Sequence, residues 1–174
     1  MGPCALLDEV GLDVGGKVSK VLYGAFGDRL KPPAVISVIG DTGRLGKKTG
    51  SGIYQYEKGK RKEDTTLYET LKIKKGGTEL SDEIILKRLI YLMINEAARC
   101  MDEGLVRDAA DIDIGMIFGT GFAPFRGGLC RYADSIGAES VVADLELLAK
   151  KFGDRFAPCQ YLQQMAVSKK KFFN

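Results

Sequence analysis

The sequence predicts an all-α protein made of two related helical copies, the first of them truncated. Apolar residues recur at helical spacing along most of the chain, and the strict alternation typical of a half-buried strand is nearly absent. A third observation is that the chain matches itself at an offset of 126 residues. Together these observations favour a duplicated helical architecture.

Composition excludes several functional classes. The chain has 174 residues, and its net charge of +3 is too small to indicate a nucleic-acid or membrane partner. It contains no His, which excludes His-dependent nucleophile systems and His metal sites within it. The first residues have no basic region typical of a targeting signal, and no apolar run reaches the roughly 18 residues of a membrane span.

The four cysteines are widely spaced and form no C-x-x-C pair, so zinc and redox motifs are unsupported. They are Cys4, Cys100, Cys130 and Cys159. Each is flanked by apolar residues, which favours small buried side chains in a reducing compartment over reactive thiols.

Two helices are predicted near the start of the chain. The first spans 3–10, because Pro3 suits a first helical position and Gly11 suits a C-terminal stop. The second spans 14–27 and carries an apolar stripe on one face. The members of that stripe are Val18, Val21, Leu22, Ala25 and Phe26.

The middle of the chain is predicted to be irregular. After Pro32-Pro33 and the short apolar stretch 34–39, residues 40–53 form a glycine-dense loop and a short extended piece follows from Ile53. The charged residues 57–64 predict an exposed linker rather than a polyanion site, because no aromatic residue interleaves the basic cluster.

The strongest predicted helix spans 82–103, with Ser81 as its N-cap and Gly104 as its stop. It has a wide apolar face, and Asn95 is assigned to the polar face with the charged residues. Further helices are predicted over 107–117, 128–136 and 139–152, with a short one near 159–166.

The self-match aligns residues 2–11 with residues 128–137, so that two glycines, a Cys and an Asp coincide. The predicted organisation is therefore a first copy over 1–57, a linker over 58–80, a second copy over 81–152 and a tail over 153–174. Only the second copy is preceded by a long helix. Consequently the apolar face of the first copy, around Val18, Leu22 and Phe26, is predicted to self-associate or to be covered by the tail.

Two glycine-containing segments do not match the nucleotide-binding motifs that they resemble. Gly46-Lys47 is followed by Lys48 rather than Ser or Thr, and the register of a phosphate loop is wrong. A dinucleotide-like start at Gly119 is broken by Pro124. The paired carboxylates, Asp8 with Glu9, Asp111 with Asp113 and Asp134 with Glu139, are interpreted as caps or surface charges. Because Asp8 and Asp134 are repeat equivalents, a structural role is favoured for both.

Several collinear blocks resemble the C-terminal region of the 3-hydroxyacyl-CoA dehydrogenase family, most closely the multifunctional enzymes of fatty-acid β-oxidation. The blocks are MGPCALLDEVGLDV, RLGKKTGSGIYQY, INEAARCMDEGLV, DIGMIFGTGFAPFRGG and RYADSIG. The tail FGDRFAPCQYLQQMAVSKKKFFN is similar to the end of the mitochondrial trifunctional α subunits of that family.

This resemblance implies a parent enzyme with enoyl-CoA hydratase and NAD-binding Rossmann domains, followed by two related helical domains. In the family a His–Glu pair, supported by Ser and Asn, oxidises the 3-hydroxyl while hydride passes to NAD. No catalytic, cofactor-binding or metal residue is assigned to the present chain, and the position matching the family's Asn is Lys87. The chain alone is therefore expected to be inactive and structural.

The resemblance also implies one substrate contact and several partners. The Met-Gly-Pro turn and the next helix lie beside the acyl pocket in the family, which carries over to Met1, Gly2, Pro3, Leu6 and Leu7 as a pocket wall. The implied partners are the Rossmann and hydratase domains and a thiolase β subunit, in the mitochondrial matrix at the inner membrane. The alternative is a stand-alone helical interaction module that has lost the chemistry.

Overall fold

Helices dominate the chain, as the all-α prediction requires. The computed structural model describes residues 1–33, 38–39, 42–72 and 79–173. Within these ranges the chain forms two units, 1–79 and 80–174, each with its own apolar core.

The first unit begins with two helices, α1 (Pro3–Val10) and α2 (Leu12–Phe26), joined at Gly11. Gly11 has a φ of 104°, which a residue with a Cβ rarely adopts, so the chain can turn sharply between them. A small core forms beneath α1 from Leu12, Ile39 and Leu67, against which Leu7 and Ile53 pack. Short 3₁₀ turns lie at Gly27–Leu30 and Lys47–Thr49.

A β-hairpin occupies the segment where the sequence predicts a linker. Strand β1 (Tyr54–Glu57) pairs antiparallel with β2 (Lys60–Glu63), with Tyr54 opposite Glu63. Lys58 and Gly59 both have positive φ, 48° and 75°, which is the geometry of a two-residue hairpin turn. All four residues of β2 are exposed and charged, so the sequence has no apolar alternation that would predict the strand. The short helix α3 (Thr66–Thr70) follows.

The second unit contains five helices in the part of the chain that is described. These are α4 (Asp82–Asp102), α5 (Ala109–Thr120), α6 (Leu129–Ile136), α7 (Ala138–Phe152) and α8 (Gln160–Ser168). Short 3₁₀ turns lie at Pro124–Arg126 and Asp154–Phe156. The Ser81 side chain accepts a hydrogen bond from the Ile84 backbone N–H at 3.3 Å, which confirms the predicted N-cap of α4.

The residues assigned to a tail are part of this second core. Phe156, Cys159, Leu162 and Met165 are buried among residues of α4 and α7, and the last aromatic residues pack against them. The reason is the spacing of apolar residues on α8, which presents Leu162 and Met165 to one side.

The duplication is visible in the element boundaries. α1 and α6 are each 8 residues long and lie 126 positions apart, and α2 and α7 are each 15 residues long at the same offset. Gly11 and Gly137, which separate the helices of each pair, have similar backbone angles, φ 104° with ψ 130° and φ 91° with ψ 135°. The match also continues beyond the helices, since Gly27-Asp28-Arg29 recurs as Gly153-Asp154-Arg155. The repeat is thus longer than the ten aligned residues suggest.

Candidate functional site

The start of α1 holds the residues that the resemblance assigns to an acyl-pocket wall. Gly2 is the residue before the helix and Pro3 is its first residue. Met1 and Leu6 are exposed, with 87% and 51% of their surface accessible. Leu7 instead turns toward the small core of the unit. The structure therefore brings Gly2, Pro3 and Leu6 together at an open helix start, and gives Leu7 a packing role.

A buried carboxylate holds the glycine-dense loop against α1. Asp8 is only 1% exposed, and its two oxygens accept hydrogen bonds from the backbone N–H groups of Ile53 at 2.7 Å and Tyr54 at 2.9 Å. The Tyr56 hydroxyl donates a third, at 3.0 Å. Three donors satisfy the charge and offset its burial, so Asp8 is a structural latch.

Close approach of the backbone to Asp8 explains two glycines of the loop. A Cβ on Gly52 would collide with the Asp8 carboxyl group, and a Cβ on Gly46 would collide with the Asp8 backbone. Gly46 also has a φ of 97°. Contact with α1 therefore accounts for Gly46 and Gly52 of this loop.

Ion pairs tie the same loop to the first two helices. Lys47 contacts Glu9 at 2.9 Å and Lys48 contacts Asp13 at 2.5 Å. Both pairs are at exposed positions, where an ion pair contributes little to the free energy of unfolding. Arg44 and Asp64 form a pair that is mostly buried. Hydrogen bonds from Thr66 and from Arg44 lower the pKa of the Asp64 carboxyl group, in that order of effect.

Tyr56 has a perturbed hydroxyl. Burial, and after it the hydrogen bond to Asp8, together raise its pKa to about 12. Both effects disfavour the phenolate, because it would face a carboxylate in a poorly solvated place. Tyr56 is thus a hydrogen-bond donor to the latch at neutral pH.

The second unit has the same latch at the equivalent position. Asp134 lies 126 positions after Asp8, and its oxygens accept hydrogen bonds from the backbone N–H groups of Phe172 at 2.8 Å and Phe173 at 2.9 Å. The Arg131 guanidinium lies 4.0 Å from the centre of the Phe173 ring. The basic and aromatic end of the chain is therefore the counterpart of Ile53 and Tyr54. The structural role favoured for both aspartates agrees with these contacts.

Sequence reasoning missed these two partner segments because they are not at the repeat offset. The aspartate and its two backbone donors are 45 and 46 residues apart in the first unit, but 38 and 39 residues apart in the second. The available signal was the apolar and aromatic pair that follows each copy, Ile53-Tyr54 and Phe172-Phe173.

Two polar residues of the second unit differ from their sequence interpretation. Asp113, taken as a cap or surface charge, is buried, and it accepts hydrogen bonds from the backbone N–H groups of Cys130 at 2.6 Å and Arg131 at 3.3 Å. It thus caps α6 from another helix. Asn95, assigned to the polar face of α4, is also buried. Its amide donates to the Ala157 carbonyl at 2.9 Å and accepts from the Cys159 N–H at 2.7 Å.

Lys87, which the resemblance matches to the family's Asn, forms ion pairs with two carboxylates. The Lys87 ammonium contacts Glu83 at 2.8 Å on its own helix and Asp144 on α7 at 3.0 Å. These carboxylates raise the pKa of Lys87, Glu83 having the larger effect. Lys87 therefore connects α4 to α7.

The cysteine prediction is wrong for one residue of four. Cys130 and Cys159 are buried and Cys100 is half-buried, but Cys4 is exposed. Burial raises the pKa of the Cys130 thiol, which suits an inert core side chain. Cys4 occupies the equivalent position of α1, where no α5-like helix is seen among the described residues.

Within the described ranges, no three side chains of the His, Cys, Asp and Glu types are grouped as a metal site would need. No described helix combines the length and the apolar character needed to cross a bilayer.

Comparison with known proteins identifies a family. Residues 1–56 and 84–172 match the family model described as "3-hydroxyacyl-CoA dehydrogenase, C-terminal domain". The chain is 45% identical over 175 residues to the "Fatty acid oxidation complex subunit alpha" of Vibrio vulnificus, and 44% identical over 175 residues to that of Shewanella oneidensis. The matches cover 100% and 99% of this chain but 24% and 25% of those proteins, so the chain spans about a quarter of their length.

Two solved structures share the fold. The 3-hydroxybutyryl-CoA dehydrogenase of Escherichia coli K12 matches with a TM-score of 0.75 at 22% identity, over 97% of this chain and 51% of that one. The dehydrogenase part of multifunctional enzyme 1 from C. elegans matches with a TM-score of 0.65 at 22% identity, over 94% of this chain and 38% of that one.

Proposed function

Since this chain belongs to the 3-hydroxyacyl-CoA dehydrogenase C-terminal domain family, we propose that it is the helical scaffold of a fatty-acid β-oxidation dehydrogenase. In this proposal NAD and the catalytic groups are held by other parts of a longer parent. The observation that carries it is the family match over most of the chain, together with two helical units in which equivalent aspartates bind backbone N–H groups of a distant segment.

Composition and relatives support the division of labour. The 174 residues include no His, so the chain cannot supply the His of a His–Glu base. The two relatives are named as subunits of a fatty acid oxidation complex and are about four times longer than the chain. We expect the chain alone to be inactive, and the enoyl-CoA hydratase of the parent to lie outside it.

The exposed start of α1 is our candidate for the substrate contact. Met1, Gly2, Pro3 and Leu6 form an open apolar edge there, and an acyl chain needs such a wall. Leu7 would act from behind, by holding α1 on the core of its unit.

The partners in the proposal are the Rossmann and hydratase domains of the parent and a thiolase β subunit. The word "complex" in the relatives' names supports assembly of some kind. Both relatives are bacterial, so the mitochondrial location expected from the resemblance draws no support from them. Cell fractionation with an antibody to this region tests the location, and the same antibody reports the mass of the endogenous protein.

A chimera tests the scaffold role. In the Vibrio vulnificus subunit, the segment that matches this chain would be replaced by this chain. We expect the chimera to oxidise 3-hydroxyacyl-CoA with NAD, because the scaffold is exchanged and the catalytic part is kept. A folded chimera without this activity, beside an active unmodified subunit, would contradict the proposal.

The alternative is a stand-alone helical interaction module. It is favoured by the exposed apolar residues of α2, since Val18 and Val21 are 51% and 71% accessible. A chain that binds a partner through α2, while every chimera stays inactive, would favour this second function.

A further inference from the structure

Strand β2 is an open edge of the two-stranded sheet. On the far side of β1 the backbone is already bonded. The Tyr56 N–H donates to the Gly50 carbonyl at 2.9 Å, and the Tyr54 N–H donates to Asp8 at 2.9 Å. On the far side of β2, no strand pairs with it among the described residues. In the described part of the chain, β2 is therefore the edge that can accept a further strand.

The register identifies the backbone groups on this edge. Glu57 and Lys60 flank the two-residue turn and bond to each other, so the next residue, Arg61, directs its N–H and C=O away from β1. By the same alternation, Glu63 also directs its backbone groups outward. The N–H of Tyr54, which is opposite Glu63 in register, points away from β2 to Asp8 and agrees with this assignment.

Lysine side chains make this edge basic on one face. Lys60 and Lys62 lie on the same face of β2, because side chains alternate along a strand, and both are exposed. Lys62 contacts Glu57 at 2.7 Å, whereas Lys60 has no carboxylate partner among the described residues. Lys58 adds a further positive charge at the turn. A strand that paired here would place its own side chains about 5 Å from Lys60 and Lys62.

The hairpin is held at both ends, so its edge is in place before a partner arrives. The first residues of β1 are bonded to Asp8. β2 is followed by Asp64, which pairs with Arg44 and accepts the Thr66 N–H at 3.0 Å. A strand that is already fixed loses little conformational entropy when another strand adds to it.

We propose that β2 is a docking edge for an extended acidic segment of another protein, which adds to the hairpin as a third strand. Main-chain hydrogen bonds to Arg61 and Glu63 supply the pairing, and acidic side chains at every second position face Lys60 and Lys62. A second copy of β2 does not fit, because its lysines would lie opposite these lysines. Lysines on an edge strand also oppose uncharged strands, so the residues that prevent self-pairing select an acidic partner.

Hydrogen exchange tests the pairing in the full chain. The probe is a peptide of about seven residues that alternates Val and Glu. With the peptide at about ten times its dissociation constant, exchange of the Arg61 and Glu63 amides should slow about tenfold, because a bonded amide exchanges only in the free chain. The amides of Lys60 and Lys62 face β1, so they are the internal standards and should change little.

Charge exchange tests the role of the lysines. Lys60→Glu with Lys62→Glu should weaken binding of the acidic peptide about tenfold or more, and should allow a peptide that alternates Val and Lys to bind instead. Lys17→Glu with Lys20→Glu is the matched control, because these exposed lysines of α2 change the charge of the same unit equally. The control should bind the acidic peptide nearly as the unmodified chain does.

Backbone methylation separates strand addition from charge attraction alone. Methylating the N–H of every Val, or of every Glu, gives two peptides of equal charge. In a paired strand the N–H groups of only one set face β2, so one peptide should lose binding and the other should keep it.

Five results would overturn the inference. They are no binding at about 1 mM peptide, unchanged exchange at Arg61 and Glu63, equal weakening by the control lysine changes, equal effects of the two methylations, and Arg61 protection that rises with the concentration of the chain alone. The last result would assign the edge to a second copy. None of these readouts is enzymatic activity, so a failure here is distinguishable from failure of the chimera.

Discussion

At the scale of single residues, equivalent carboxylates with backbone partners, buried in the first unit and half-buried in the second, hold a distant segment in each unit. Asp8 and Asp134 each accept two neighbouring backbone N–H groups from a distant extended segment. A carboxylate suits this role because its two oxygens match two adjacent donors. Loss of the carboxylate leaves donors buried without a partner.

Asp8→Ala is therefore expected to destabilise the first unit by about 2–4 kcal/mol, since it removes charge-assisted hydrogen bonds from a buried site. Hydrogen exchange at Ile53 and Tyr54 should accelerate along with the loss of stability. Glu9→Ala is the matched control, because Glu9 is the next residue and pairs only at the surface with Lys47. Equal effects of the two changes would show that Asp8 is not a latch.

Tyr56 makes stability depend on alkaline pH. Its pKa is raised from 10.0 to about 12, so the folded state favours the protonated hydroxyl. The stabilisation is present below pH 10 and is lost as the pH rises through about 12. Chemical denaturation across this range should show the loss, and Tyr56→Phe should remove that part of the pH dependence. An unchanged dependence in Tyr56→Phe would contradict the assignment.

At the scale of elements, Asn95 connects the long helix to the turn before α8. It bonds the backbone of both Ala157 and Cys159 within a buried region. Asn95→Ala should cost about 2–4 kcal/mol in the free energy of unfolding, because one donor and one acceptor lose their partner. Gln163→Ala is the control, since Gln163 also donates to a backbone carbonyl, that of Pro158, but is exposed. A difference smaller than about 0.5 kcal/mol between the variants would contradict this role.

The elements show what sequence reasoning can reach. The described helices of eight or more residues were predicted within a few residues, because Pro3, Gly11, Ser81 and Gly104 mark ends and apolar spacing marks faces. The short helix α3 was missed, since it lies in the predicted linker. The hairpin was missed because β2 is wholly exposed and only its turn geometry distinguishes it from a linker. Asn95 was misassigned because a polar side chain is expected at the surface. Its buried backbone partners are more than sixty positions away and are not evident from the sequence.

Part of the candidate site was also predicted from the sequence, and part was not. The repeat placed Asp8 and Asp134 at equivalent positions, and hence predicted a shared structural role from the sequence. The segments that they bind could not be inferred, since the spacing differs between the copies and the contact is long-range. Exposure of Cys4 could not be inferred either, because it depends on what covers α1.

At the scale of the whole molecule, the exposed apolar residues of α2 predict self-association of the isolated chain. Exposed apolar surface of this extent is costly in water, and a second copy can cover it. Val18→Lys with Val21→Lys should shift the light-scattering mass toward the monomer. Val167→Lys, at an exposed position of α8, is the control and should leave the mass unchanged. A wild-type monomer that binds no apolar dye would contradict the prediction.

The central claim is that this chain holds structure and that the chemistry lies elsewhere in the parent. The most direct measurement is the oxidation of NADH by the purified chain in the presence of acetoacetyl-CoA, beside the chimera under the same conditions. The account predicts no turnover by the chain above the rate without protein, and turnover by the chimera. Reproducible turnover by the chain alone would contradict it.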